Sequence, residues 1–284
     1  MRRKVAIFLL AGLLIAGALF LYIYIDSRRP KKFHVTFLNI GQGDSALIQF
    51  ANGKKMLVDC GPNKKILSEL GRNLPFYDRT IDYVLATHPD LDHYGGCVDV
   101  LRRYQVKEII TNGHEKTSDP YWQEWNKVMR EEPGAELVTM SSPTIWTIAS
   151  DTLQFFSPDP ALPLETGTDD SNNYSIVFKL THDKETFLFT GDMEFALENA
   201  LLAKYCSEKE RVCPILESKI LKVGHHGSPG STGEDFLSAV EPRTAVISVG
   251  KNHYGHPSLR VIKKLERAGA KVLRTDELGD ILLK

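Results

Sequence analysis

The chain has 284 residues, with 35 Lys+Arg against 36 Asp+Glu and 42% hydrophobic residues. Such globular values exclude a disordered, collagen-like or disulfide-scaffold protein. The balanced charge is uneven. Seven basic residues and only Asp26 on the acidic side precede Phe33, which leaves 28 basic and 35 acidic residues from there on. That acidic body lacks the overall basic footprint of a protein that grips duplex DNA by charge, although a local basic groove is compatible with it.

Val5 to Ile25 is an uncharged, mostly apolar run. As a helix it is about 31 Å long, enough to cross a bilayer core. Arg2, Arg3 and Lys4 ahead of it favour a cytoplasmic N-terminus, and Arg28, Arg29, Lys31 and Lys32 behind it weaken that bias. A cleaved signal peptide ending near Ala16-Gly17-Ala18 is the alternative, but the apolar run continues through Tyr22-Ile23-Tyr24-Ile25. The expectation is a single-pass cell-membrane anchor and linker over residues 1–32, and an extracytoplasmic domain over 33–284.

Strand-like runs at His34–Ile40, Ala46–Phe50 and Lys55–Asp59 follow, with turns at Gly41-Gln42-Gly43 and Asn52-Gly53. Helical runs are expected at Lys64–Arg72, Cys97–Tyr104 and Tyr121–Arg130, with strands at Asp82–Thr87 and Glu108–Thr111. Tyr121, Trp122 and Trp125 recur at helical spacing and read as packing. In the second half, strands are expected at Leu153–Ser157, Ser175–Thr181, Thr186–Thr190, Lys219–Val223, Ala245–Val249 and Lys271–Arg274. Helices are expected at Glu194–Lys204, Glu234–Val240 and Leu259–Ala268. Short turns between many neighbouring strands favour an α/β sandwich of sheets flanked by helices over a simple parallel sheet. No C-x-x-C pair occurs among Cys60, Cys97, Cys206 and Cys213, which argues against a structural zinc site. Two readings of the cysteines stay open: a Cys206–Cys213 disulfide, or four unpaired thiols. Lys204, Lys209 and Arg211 read as solvated surface.

The densest chemistry is Thr87-His88-Pro89-Asp90-Leu91-Asp92-His93-Tyr94-Gly95-Gly96, after the apolar strand Tyr83-Val84-Leu85-Ala86. In an extended loop His88 and Asp90 point the same way and can share a cation. Asp92 and His93, being adjacent, address different directions. Carboxylates this close to an apolar strand are costly to bury, and a cation removes the cost. Asp192 ends Phe187-Leu188-Phe189-Thr190-Gly191-Asp192. His225 and His226 end Leu221-Lys222-Val223-Gly224-His225-His226-Gly227-Ser228, and His253 and His256 lie in Asn252-His253-Tyr254-Gly255-His256-Pro257. Strand ends along one rim of a sheet are where α/β folds assemble sites.

These motifs resemble the metallo-β-lactamase superfamily. More narrowly, Phe37-Leu38-Asn39-Ile40-Gly41-Gln42-Gly43-Asp44-Ser45, Leu57-Val58-Asp59-Cys60-Gly61, Leu221–Ser228 and Tyr254-Gly255-His256-Pro257 are similar to the extracellular hydrolase domain of ComEC-type competence proteins. The resemblance covers roughly residues 34–284 and implies a four-layer αβ/βα sandwich over the expected 33–284 domain. It also implies a metal-binding set of His88, Asp90, Asp92, His93, Asp192 and His225, with His226 as an alternative to His225. Asp44 and Asp59 take structural roles behind that set. Asp90 stands where most members of the superfamily have a second His, so the donor set is oxygen-rich. That suits Mn²⁺ as well as Zn²⁺, as one or two divalent ions.

The resemblance implies a metal-dependent hydrolase. A phosphodiester fits its metal chemistry best: single-stranded DNA or another phosphodiester, with the DNA-uptake machinery as partner. Asp92 is expected to orient or deprotonate the water, and His256 and His226 to donate to a phosphate oxygen or leaving group. Asn172 or Asn173 is expected as a weak ligand or substrate contact. The alternatives are an amide, lactone or β-lactam hydrolase on the same fold, and a non-catalytic nucleic-acid-binding module at the surface.

Overall fold

The computed structural model describes residues 2–117, 119–162, 171–207 and 213–284. Helix α1 (Arg2–Arg28) has no buried face and is long and apolar enough to cross a membrane. The first half then runs β1 (His34–Phe37), β2 (Ala46–Gln49), β3 (Lys55–Val58), α2 (Lys65–Asn73), β4 (Thr80–Leu85), α3 (Leu91–Tyr94), α4 (Cys97–Arg103), β5 (Gln105–Thr111), α5 (Pro120–Glu131) and β6 (Glu136–Thr139). The second runs β7 (Thr144–Ile148), β8 (Asp151–Ser157), β9 (Val177–His182), β10 (Glu185–Phe189), α6 (Phe195–Tyr205), β11 (Ile220–Lys222), α7 (Glu234–Val240), β12 (Thr244–Ile247), α8 (Leu259–Arg267), β13 (Lys271–Arg274), α9 (Thr275–Leu278) and β14 (Ile281–Leu283).

Two seven-stranded sheets result, in the orders β14-β1-β2-β3-β4-β5-β6 and β13-β12-β11-β10-β9-β8-β7. Each is antiparallel at one end and parallel at the other. β3 to β6 pair parallel, as do β10 to β13, because helices cross back between those strands. Period-2 alternation sorts the side chains. Phe187 and Phe189 of β10 meet Val35 and Phe37 of β1 between the sheets, while Leu188 turns outward. Trp122 and Trp125 of α5 cover the outer face of the first sheet, and α6, α7 and α8 cover the second. The layers are thus helix, sheet, sheet, helix, the four-layer αβ/βα sandwich expected. Local signals set the helix starts. Asp119 accepts from the Tyr121 amide ahead of Pro120 at α5, and Ser258 accepts from the Val261 amide at α8.

β6, β7 and β14 were not expected. β6 and β7 are sheet edges with largely exposed side chains, and β14, Ile281-Leu282-Leu283, is too short to show a period. The cysteines form two disulfides, Cys60–Cys97 and Cys206–Cys213. The four-thiol alternative is therefore set aside, and the first pair was not expected. It ties the loop after β3 to the start of α4, on either side of the His88–His93 loop. Lys209 and Arg211 lie outside the described residues.

Candidate metal centre

The ends of β3, β4, β10 and β11 meet on one rim. Asp59, just past β3, accepts from the Thr87 amide at 2.8 Å and Thr87 Oγ1 at 2.9 Å, and pairs with His93 Nδ1 at 2.9 Å. The Cys60 amide donates to the His93 carbonyl at 2.7 Å, closing the loop against β3. Asp192 follows β10, its amide held by Ser175 Oγ at 3.0 Å. After β11 a tight turn carries His225 and His226 at φ 44° and 50°. Asp59 shares that left-handed conformation at φ 56°. For non-glycine residues it costs roughly 1–2 kcal/mol each and persists only where the surroundings dictate it. Gly43, at φ +125°, lets the β1–β2 loop lie against Asp92; a Cβ there would sit 2.3 Å from the Asp92 carbonyl oxygen.

His93 Nε2 lies 3.2 Å from Asp192 Oδ2. His226 Nε2 lies 3.3 Å from the same oxygen and 3.2 Å from Asp92 Oδ2. Ligand atoms of His88, His93 and Asp192, and those of Asp92, His93 and His226, form groups within 4.8 Å. Nε2 of His88, His93 and His226 and Oδ1 of Asp192 are buried without a hydrogen-bond partner. The opposite ring nitrogens are all engaged: His88 Nδ1 with Thr87 Oγ1 at 3.0 Å, His93 Nδ1 with Asp59, His226 Nδ1 with the Ser248 carbonyl at 2.9 Å. Buried polar atoms left unpaired are costly. Imidazoles whose far nitrogen is fixed by an oxygen are set up to ligate through the near one. The donor set fits a divalent cation.

The electrostatics agree. Burial pulls the basicity of His93 down, yet Asp192 and Asp59 outweigh it and hold it well above the usual imidazole range. Burial is likewise outweighed at His226 by Asp192 and Asp44. Burial would raise Asp192, but His226 and His93 keep it well below the usual carboxylate range. The carboxylates thus demand positive charge at their centre. His88 is the exception: burial, then His93, lowers its basicity, which suits a neutral ligand.

His226 rather than His225 enters the converging groups. Among the described residues His225 belongs to none of them. Its Nε2 is 3.8 Å from Asp192 Oδ2, and its Nδ1 is 2.7 Å from Glu194 Oε1. It sits half-buried at the mouth. Burial opposes its protonation, but the Glu194 hydrogen bond and Asp192 raise its pKa above the usual value. His226, expected also as a donor to substrate, is buried, with Nδ1 on the Ser248 carbonyl and its side chain among the converging donor groups. His256 lies at the mouth with its ring 5.3 Å from that of His225. Burial and the two neighbouring imidazoles lower its pKa. Asp90 is beside His88, with Oδ2 3.9 Å from His88 Nε2, while its Oδ1 takes Lys116 Nζ at 2.7 Å and the Ser171 hydroxyl. Asn172 Nδ2 is 3.4 Å from His225 Nδ1. Asn173 Oδ1 accepts from the Glu194 and Leu197 amides at 3.2 and 3.1 Å, at the start of α6.

Two further groups lie outside the expected site residues. Lys222 is buried and salt-bridged to Asp44, and it donates to the Gly191 and Val223 carbonyls at 3.2 and 2.9 Å. Burial would raise Asp44, but Lys222 and then His226 lower it. Asp44 Oδ1 reaches His226 Nδ1 at 3.2 Å. The lysine in the apolar strand Ile220-Leu221-Lys222 was the available signal. Replacing Lys222 with Met is expected to weaken metal binding about 10–100-fold, as loss of an outer partner typically does, measured by metal titration.

Behind the turn, Glu198 accepts from the Thr232 and Gly233 amides and is pushed up to about 7, chiefly by burial. Its unfolded value is lower, so its contribution to stability is present below the ordinary carboxylate range and lost as pH rises through about 7. Against Glu198→Gln, urea unfolding of the wild type should show an extra loss of stability between these limits. The slope is at most about 1.4 kcal/mol per pH unit.

Residues 38–251 match the family model of the metallo-beta-lactamase superfamily. The chain is 32% identical over 287 aligned positions to ComE operon protein 3 of Bacillus subtilis, covering 93% of this chain and 34% of that protein. It is 30% identical to competence protein ComA of Neisseria gonorrhoeae, over 86% of this chain and 31% of that one. It therefore spans about a third of the length of these relatives. Zn(2+)-bound PqqB from Methylobacterium extorquens shares the fold at 11% identity and a TM-score of 0.54, with 88% of this chain and 99% of that one covered. With the matched span taking in the β3, β4, β10 and β11 rim, the chain belongs to the metallo-beta-lactamase superfamily.

Proposed function

We propose that the protein is a membrane-anchored, metal-dependent phosphodiesterase or nuclease whose domain faces an oxidising, extracytoplasmic compartment. The convergence of the unpaired Nε2 atoms of His88, His93 and His226 on Asp192 carries the reading. These four residues with Asp92 would hold one or two Zn²⁺ or Mn²⁺ ions, with Asp90 at the edge beside His88. Such an ion, when bound, lowers the pKa of water and draws charge from a phosphoryl oxygen. Asp92, half-exposed at the rim, orients the attacking water. His225, kept basic by Glu194, donates a proton to the leaving oxygen, with His256 and Asn172 beside it at the mouth. Lys116, half-exposed next to Asp90, adds positive charge for an anionic substrate.

DNA as the polymer, and the DNA-uptake machinery as partner, rest on the resemblance to competence proteins and on a relative named competence protein ComA. The two disulfides support the compartment, because such bonds persist where the environment is oxidising. The protein should be assayed on bis(p-nitrophenyl) phosphate and single-stranded DNA, beside nitrocefin and lactones, with Mn²⁺ and Zn²⁺. Turnover of the phosphodiesters that chelation abolishes is expected. Turnover only of nitrocefin or lactones would overturn the substrate class. Metal binding without any turnover would favour a non-catalytic nucleic-acid-binding module.

A further inference from the structure

The end of the sandwich opposite the metal rim bears a groove of about 500 Å³ whose lining includes Arg29, Lys31, Asn52, Pro75, Tyr77 and Arg79. We infer that this groove takes the phosphate of a phospholipid headgroup, with Phe76 set into the acyl boundary beside it, and that it holds the metal rim away from the bilayer. This rests on the membrane-anchor reading of α1 and extends it to the domain.

Chain connectivity fixes which end faces the membrane. α1 ends at Arg28, and Phe33 is already buried in the core between the sheets. The intervening segment spans at most about 18 Å, so this end of the domain lies within that distance of the end of α1. Two contacts hold it closer still: Tyr77 Oη donates to Asp26, and Lys31 Nζ to the Asp26 carbonyl at 3.2 Å. Asp26 follows the apolar run directly and so stands at headgroup depth. Phe76, adjacent to Tyr77, is 60% exposed. An exposed aromatic beside basic residues is the composition of a membrane-interface contact.

The face keeps an excess of basic residues. Asp26 is engaged by Tyr77 and lies 3.6 Å from Arg29, and Asp78 pairs with Lys55 at 2.8 Å. Lys31 and Arg79 remain on the groove wall, with Arg28 and Lys32 nearby in sequence, all exposed. From the groove wall, β4 starts at Thr80 and leads to His88 at the opposite end. The strand part alone spans about 17 Å at roughly 3.3 Å per residue. The metal rim therefore addresses substrate in the aqueous phase rather than headgroups of its own membrane.

The test uses the full chain reconstituted in vesicles of phosphatidylglycerol and phosphatidylcholine with brominated acyl chains. A Phe76→Trp variant is compared with Tyr254→Trp, a 75% exposed position in the loop after β12 beside the metal rim, each after subtraction of the wild-type signal. The expected result is bromine quenching at position 76 severalfold greater than at 254. Adding Arg29→Gln, Lys31→Gln and Arg79→Gln, or using phosphatidylcholine alone, should reduce it. Equal quenching at the two positions, or quenching unchanged by the charge removal, overturns the inference while leaving the anchor intact. Failure of the full chain to float with the vesicles would overturn the anchor reading and the inference with it.

Discussion

Asp192→Asn is expected to lose phosphodiester turnover by more than the roughly 10–100-fold that removal of an outer partner costs, and to lose bound metal with it. Among the described residues, Asp192 is the one carboxylate that His93, His226 and His225 all approach, at 3.2, 3.3 and 3.8 Å. Its Oδ1 is buried without a protein partner. An amide of the same shape leaves the packing intact but removes the negative charge that the buried His93 and His226 and a cation require. Metal content by elemental analysis and turnover at saturating Mn²⁺ check this together, with near-ultraviolet circular dichroism confirming the fold. A variant that keeps its metal and its rate would remove Asp192 from the centre.

The second large effect separates the adjacent histidines. His226→Ala is expected to behave like Asp192→Asn, with metal and activity lost together. His225→Ala should keep its metal and lose about 10²–10⁴-fold in kcat, the usual worth of a positioned proton donor. Glu194→Gln supplies the sign. Glu194 helps to raise the His225 pKa, and a proton donor works only below its pKa. Removing the carboxylate lowers that pKa, so the alkaline limb of the pH–rate profile should move to lower pH. A metal-free His225→Ala protein, or an alkaline limb that stays in place in Glu194→Gln, would reverse the assignment.

The layered architecture was legible because β1 to β4 and β9 to β12 carry strong apolar runs that end in turn residues. The edges β6 and β7 were not, since half-exposed strands alternate too weakly to stand out. The His88-Pro89-Asp90-Leu91-Asp92-His93 cluster announced itself by density, and Asp192 by a lone carboxylate at the end of an apolar strand. Choosing between His225 and His226 was beyond pattern. Both follow the same strand, and only the left-handed backbone of the turn decides which ring points inward. The Cys60–Cys97 pair was hidden for a similar reason: its partners come from different elements that the His88–His93 loop brings together.

The most direct measurement is the divalent metal content of the purified protein, taken with its phosphodiesterase rate before chelation, after chelation and after return of Mn²⁺ or Zn²⁺. One or two ions per chain, a rate abolished by the chelator and restored by the metal, and neither in His226→Ala, are the predicted result. A protein that binds no divalent ion, or that turns over phosphodiesters undiminished after chelation, would contradict a cation gathered by these strand ends.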